Sequence, residues 1–336
     1  MLPLALYRPM SPRLLLLFLL GTALAPAAEP LPGHSAHGEA FNEGPRQEAH
    51  LMEGTGRVNF PVTTAKPLAQ RFFNQGIGQL HGFWYFEAER SFRQVAKLDP
   101  DCAMAYWGMA MANLNNQKRA RGFLAKAVER KAKAHPHELP WITFLENYLK
   151  EDKREDNKRE LEAIKDIELI VQTYPENIEA KAFLAWKIWH GKNEASISSP
   201  MAVQAILDQV FAVAPDHPAH HYSIHLWDGF KPEQGLKSAA AGGPSSPGIA
   251  HMWHMPGHIY SKLRRFDDAA WQQEASSRVD HAYMMANYVQ PDQIHNYAHN
   301  EEWLIRTYND LGQAGNAIFL ADRKSTRLNS SHLVIS

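Results

Sequence analysis

HMWHMPGHIYSKLRRFDDAA (residues 251–270) is the stretch that decides the fold. Trp253, Gly257 and Tyr260 lie four and then three residues apart, which places them on one face of a helix. Asp267-Asp268 mark a turn-to-helix start, where acids favour the N-terminal end of the helix dipole. Ala269 then supplies a second small residue, so the pattern describes two helices packed closely as a hairpin. Pro256 interrupts the first of them. It removes one backbone donor and predicts a kink there.

Outward from this stretch the chain reads as helix from residue 66, with no strand-like alternation and many Ala, Leu, Glu, Lys and Gln residues. Similar large-small patterns recur. Phe72, Gly76, Ala88, Phe92 and Pro100 fit one unit. Trp107, Gly108, Met111, Ala120, Leu124 and Ala127 fit the next. Ala163, Ile167 and Ile170 close a third, Leu184, Ala185 and Ile188 open a fourth, and Leu304, Tyr308, Gly312 and Ala317 begin a last one. Such repetition predicts stacked hairpins. Residues 150–160 read as a charged, solvated insertion, Ala241 to Gly248 as a Gly/Pro/Ser loop, and 284–296 as a further interruption.

The offsets of Trp253, Gly257, Tyr260 and Ala269 resemble those of the tetratricopeptide repeat (TPR) family, over roughly residues 66–321. FFNQGIGQLHGFWYFEAERSFRQVAKLDPDCAMAYWGMAMAN (72–113) and HMPGHIYSKLRRFDDA (254–269) resemble the large exported bacterial members. The resemblance implies an all-α fold, a right-handed α-solenoid of helical hairpins. Its concave side, lined by the first helix of each hairpin, binds a peptide or protein partner. It implies no reaction.

The ends read differently. Arg8 and Arg13, the apolar run Leu14–Leu20 and Ala25-Pro26-Ala27 form an export-signal pattern over 1–27, whether translation starts at Met1 or Met10. The run is too short for a stable membrane anchor, so the expected location is periplasmic or secreted. Residues 28–65 read as an extended arm, with Phe60-Pro-Val-Thr-Thr64 laid against the first hairpin and only a loose cluster of His34, His37 and His50. Residues 322–336 resemble a translated sequencing-library adapter and are read as a non-native tail, with the repeat domain truncated before it. Setting aside Arg8 and Arg13 at one end, and Arg323, Lys324 and Arg327 against Asp322 at the other, takes the formal charge from −1 to −5. That excludes a basic surface for nucleic acid. A single Cys, Cys102, excludes internal disulfides and multi-cysteine metal sites, and it reads as a small packed thiol.

Histidine carries the chemistry. Ten of the 18 histidines fall between residues 217 and 299. His221/His225, His254/His258 and His295/His299 are each four apart, so each pair shares a helix face. The first two pairs are 33 residues apart, close to one repeat, and predict four facing imidazoles able to hold zinc, copper or nickel. Asp228 is a candidate further ligand or base. Pro256 weakens the second pair's geometry. The Gly312 and Ala317 register puts His299 where His251 stands one repeat earlier, with Glu302 and Arg306 matching His254 and His258. The concave groove is therefore read as His251, His254, His258, His299, Glu302 and Arg306, engaging a peptide or protein partner. The alternative is a metal-binding protein or metallohydrolase centred on His221, His225, His254 and His258. No HExxH, P-loop or GxSxG pattern is present.

Overall fold

Prolines and short polar side chains set where the helices begin. Pro67 opens α1 (Pro67–His81), where the missing N–H costs nothing. The Asn116 and Asn177 side chains accept from the backbone N–H three residues on and cap α4 (Gln117–Glu129) and α7 (Ile178–His190). Ser199 does the same for α8 (Pro200–Val213). The other helices of nine residues or more are α2 (Tyr85–Leu98), α3 (Ala103–Met111), α5 (Leu139–Tyr148), α6 (Asp156–Thr173), α9 (His220–Asp228), α10 (Leu236–Ser245), α11 (Ala250–Lys262), α12 (Phe266–Asn287) and α13 (His295–Asp310). The chain is helical again over 314–322. This computed structural model describes residues 47–195, 199–289, 291 and 294–322. The expected export signal, His34 and His37, and the tail beyond residue 322 lie outside them.

Among the described residues all regular structure is helical. The helices succeed one another in pairs: α1/α2, α3/α4, α5/α6, α7/α8, α9/α10, α11/α12, and α13 with 314–322. Each second helix also meets the next first helix, and first helices touch one another at α1/α3, α3/α5, α7/α9, α9/α11 and α11/α13. The apolar anchors read from the sequence form this core. Phe92, Trp107, Ala120, Ala127, Ile167, Ile170, Ala185 and Ala269 are completely buried. Cys102 is buried among them, and burial pushes its thiol up to about 12, as a packed, inert thiol requires.

One local expectation is corrected. Ala241 to Gly248 is not simply a loop, because α10 continues through Gly242, Gly243 and Pro244. A Cβ on Gly243 would lie 2.2 Å from the Trp253 ring, so glycine there lets α10 meet that indole. Trp253 itself is half-buried and packs on Trp271, with ring centroids 5.5 Å apart. Pro256 lies inside α11, which runs from Ala250 to Lys262. The histidines on either side of it keep one helix face.

An array with neighbour contacts only would keep its first hairpin apart from its later ones. Here the turn between α1 and α2 reaches across the stack. Phe83, held at φ 56°, lays its ring 4.3 Å from His221 and 5.5 Å from His225. Trp84 packs edge-on to Tyr283 at 4.8 Å, and the Tyr283 hydroxyl donates to Glu87 at 2.5 Å. The arm closes the same face: the Gly248 N–H donates to the Gly54 carbonyl at 2.8 Å. Phe60 is buried among Phe73, Trp107 and Trp141, so it spans more than the first hairpin. His50 is exposed.

Candidate metal centre

The stacked first helices carry the histidines. α9 presents His221 and His225 one turn apart. α11 presents His251 on the side facing α9, and His254 and His258 further along. α13 adds His299. These gather as two triads, His221/His225/His251 and His254/His258/His299, in each of which one ring nitrogen per residue lies within 4.8 Å of the others. The expected single site of four imidazoles is therefore not what forms. Each i,i+4 pair takes its third member from the next first helix, His251 for one and His299 for the other, in matching register. His251 and His254 join the two triads, with ring centroids 5.7 Å apart.

The outward nitrogens are fixed by acceptors. His221 Nδ1 donates to the His81 carbonyl at 2.7 Å. His254 Nδ1 faces Gln273 Oε1 at 2.8 Å and Asn300 Oδ1 at 2.9 Å. Both amides are oriented by their own donated bonds, Gln273 to the His254 carbonyl and Asn300 to the Gln273 carbonyl. Gly257 makes room for this, since a Cβ there would sit 2.2 Å from Gln273 Nε2. His251 Nδ1 donates to Asn296 Oδ1 at 3.1 Å, and Asn296 is turned by giving its N–H to Asp280 at 2.7 Å. His221, His251 and His254 thus carry their proton on Nδ1 and turn an Nε2 lone pair inward.

The inward nitrogens then meet. His221 and His225 Nε2 are 3.0 Å apart, and His254 and His258 Nε2 are 2.9 Å apart. His258 is the decisive case. Its Nδ1 lies 3.6 Å from Asp228 Oδ2. A single proton on His258 serves one side only. On Nδ1 it leaves two Nε2 lone pairs face to face, and on Nε2 it leaves a lone pair facing the carboxylate. A cation between the Nε2 atoms, or a second proton on His258, resolves both. With a cation there, Asp228 and His258 would form the carboxylate–histidine–metal pattern.

Burial favours the neutral form of His221, His225, His251 and His254. It lowers His221 to about 4 and, with the neighbouring His258 charge, His254 to about 3. His225 and His251 are lowered well below the ordinary value by burial, then by the surrounding histidines. Neutral imidazole is the form that binds metal. Indoles flank both triads: Trp189 stacks on His225 at 4.7 Å and Trp303 on His258 at 4.1 Å. His221 and His254 are wholly buried, while His258 and Asp228 keep 14% and 19% side-chain exposure, an entry path at one edge. Glu302 and Arg306 stand on the outer side of α13, paired with each other at 2.5 Å. The structure does not bring them to the triads.

A third group, His81/Glu179/His217, is built otherwise. His81 Nδ1 meets the Tyr222 hydroxyl at 2.7 Å and Nε2 meets Glu179 at 2.8 Å. His217 Nε2 meets Glu179 at 3.2 Å, and its Nδ1 accepts from the Ala219 N–H at 3.0 Å. Every ring nitrogen is spent, so this is a closed hydrogen-bonded cluster. Burial alone would raise Glu179, but His217 and His81 hold it well below the usual carboxylate range. It supports the first triad, because the His81 carbonyl orients His221. Sequence reading missed His81, Gln273, Asn296 and Asn300, whose roles depend on contacts 19 to 140 residues away. A comparison with protein-family models finds no match, and neither does a comparison with curated proteins.

Proposed function

We propose that this chain is a metal-binding helical-repeat protein that holds divalent zinc or copper in its two histidine triads. The observation that carries this is the orientation of the rings. Nδ1 of His221, His251, His254 and His258 is turned outward to carbonyl, amide or carboxylate oxygen, and Nε2 pairs 2.9 and 3.0 Å apart face inward. A tetrahedral ion at about 2.0–2.1 Å from each nitrogen sets neighbouring ligand atoms about 3.4 Å apart, so each Nε2 pair would open by about 0.4–0.5 Å to admit one. All-imidazole donors suit zinc or copper rather than calcium or magnesium. His221, His225 and His251 would hold one ion; His254, His258 and His299 would hold the other, with Asp228 behind His258. When bound, such an ion supplies a Lewis-acid centre with an open fourth position.

Titration of chelator-stripped, tag-free protein with cobalt(II), read from its visible absorption, tests this. Wild type saturates in two steps. His225→Ala and His258→Ala each abolish one step and leave the other. Retention of both steps in the double variant, with helicity unchanged, would overturn the assignment.

A scaffold role for the array is the second reading. It is favoured by the exposed outer side of α13, where Glu302 and Arg306 are 46% and 60% exposed. A peptide or protein partner engaging that side is lost in a Glu302→Ala/Arg306→Ala variant, whereas His258→Ala leaves it. The TPR resemblance and export bear on this reading, and secretion of a full-length fusion tests the latter.

A further inference from the structure

Tyr297, Glu301 and Tyr308 recur along α13 at helical spacing and share one face. That face forms a cleft of about 540 Å³ with Glu274 and Arg278 of α12 and Phe319 of the 314–322 helix. The volume falls within the range of small-molecule sites.

The two carboxylates of the cleft differ. Glu274 is satisfied: it accepts from the Tyr308 hydroxyl at 2.8 Å and pairs with Arg278 at 2.7 Å. Glu301 is 4% exposed, lines the cleft, and has no hydrogen-bond or ion-pair partner among the described residues. Its carboxylate oxygens open to the cleft, where a ligand can meet them. Arg278 cancels Glu274, so the wall is left with the single charge of Glu301. Three aromatic rings, Tyr297, Tyr308 and Phe319, line the same cleft. One uncompensated carboxylate among aromatic faces suits an organic cation, through a charge-assisted bond and cation–π contact. A metal ion would need several more oxygen donors than this wall offers.

We propose that this cleft binds a small organic monocation: a primary ammonium group carrying an apolar or aromatic body. The site is separate from the histidine triads and does not rest on their metal reading.

Isothermal titration of the full chain with benzylammonium chloride, in the presence of a chelator, tests it, with benzyl alcohol as the neutral counterpart. Saturable one-to-one binding is expected for the ammonium, with the alcohol at least about tenfold weaker. Glu301→Gln should weaken the ammonium by at least about tenfold while helicity and cobalt titration stay as in wild type. Equal binding of alcohol and ammonium, undiminished binding by Glu301→Gln, or no saturable binding up to about 10 mM, an affinity below ordinary ligand recognition, would overturn the proposal. Loss of ammonium binding in His258→Ala with retention in Glu301→Gln would overturn it too, because the amine would then be acting at the triads.

Discussion

Acidification should destabilise this protein through its buried histidines, and Asp280 should partly conceal the effect. A histidine whose folded value is depressed contributes stability that is fully present above its unfolded value near 6.5. That stability is lost as pH falls toward the folded value, because the unfolded chain takes up a proton that the folded one refuses. With His221 at about 4 and His254 at about 3, both remain neutral in the folded state near pH 5. At about 1.4 kcal/mol per pH unit, each then costs about 2 kcal/mol between pH 7.5 and 5, or about 4 together. Asp280 has the opposite sign. Burial raises it to about 7, so the folded carboxyl protonates first and gains about 2–3 kcal/mol over the same interval. These three groups leave a net loss of about 1–2 kcal/mol in wild type and about 4 in Asp280→Asn. His225 and His251, lowered for the same reason, deepen the loss in both. Urea unfolding followed by circular dichroism, with chelator present, measures it. A pH dependence no steeper in Asp280→Asn than in wild type, or a gain in stability on acidification in both, would refute the reasoning.

Other perturbations follow from single contacts. Gly257→Ala places a Cβ where Gln273 Nε2 now sits, at 2.2 Å. It should cost about 1–3 kcal/mol and weaken metal binding at the second triad about 10- to 100-fold, with the first triad unaffected, as cobalt titration reports. Glu160→Gln leaves the Lys187 ammonium, 1% exposed and 2.5 Å from Glu160, without its countercharge. Urea unfolding should show a loss of about 3–5 kcal/mol, largely recovered when Lys187→Met is added. Ile318 and Phe319 are 69% and 63% exposed, whereas α3 is buried along its length. Amide hydrogens over 295–322 should therefore exchange faster than those over 103–129, and equal protection would contradict this.

The sequence made the helical pairs legible because their anchors repeat locally. Trp107 with Ala120, or Tyr260 with Ala269, are separated by one turn and half a hairpin, and periodicity reports such distances directly. The Gly242-Gly243-Pro244 run misled, since its composition signals a loop while the Trp253 ring needs a helix without side chains there. The histidines were legible as pairs and not as triads. Spacing gives the i,i+4 members on α9 and α11, but the third ligand depends on how the next first helix stacks. The register that gives His299 the position His251 holds one repeat earlier was the clue, since each of the two faces the pair on the preceding first helix. The Phe83 turn, the Asn296 and Gln273 amides and the lone carboxylate of Glu301 left no local trace. Their meaning comes from residues brought near by the stack, and sequence spacing does not encode such contacts.

Two histidine triads acting as metal sites require two bound ions per chain. Elemental analysis of tag-free protein, dialysed against zinc or copper and then freed of loosely held ion, tests this most directly. About two ions per chain are expected, about one after His225→Ala or His258→Ala, with a raised melting temperature on loading. Less than about 0.2 ion per chain, with no thermal shift on adding either metal, would contradict it.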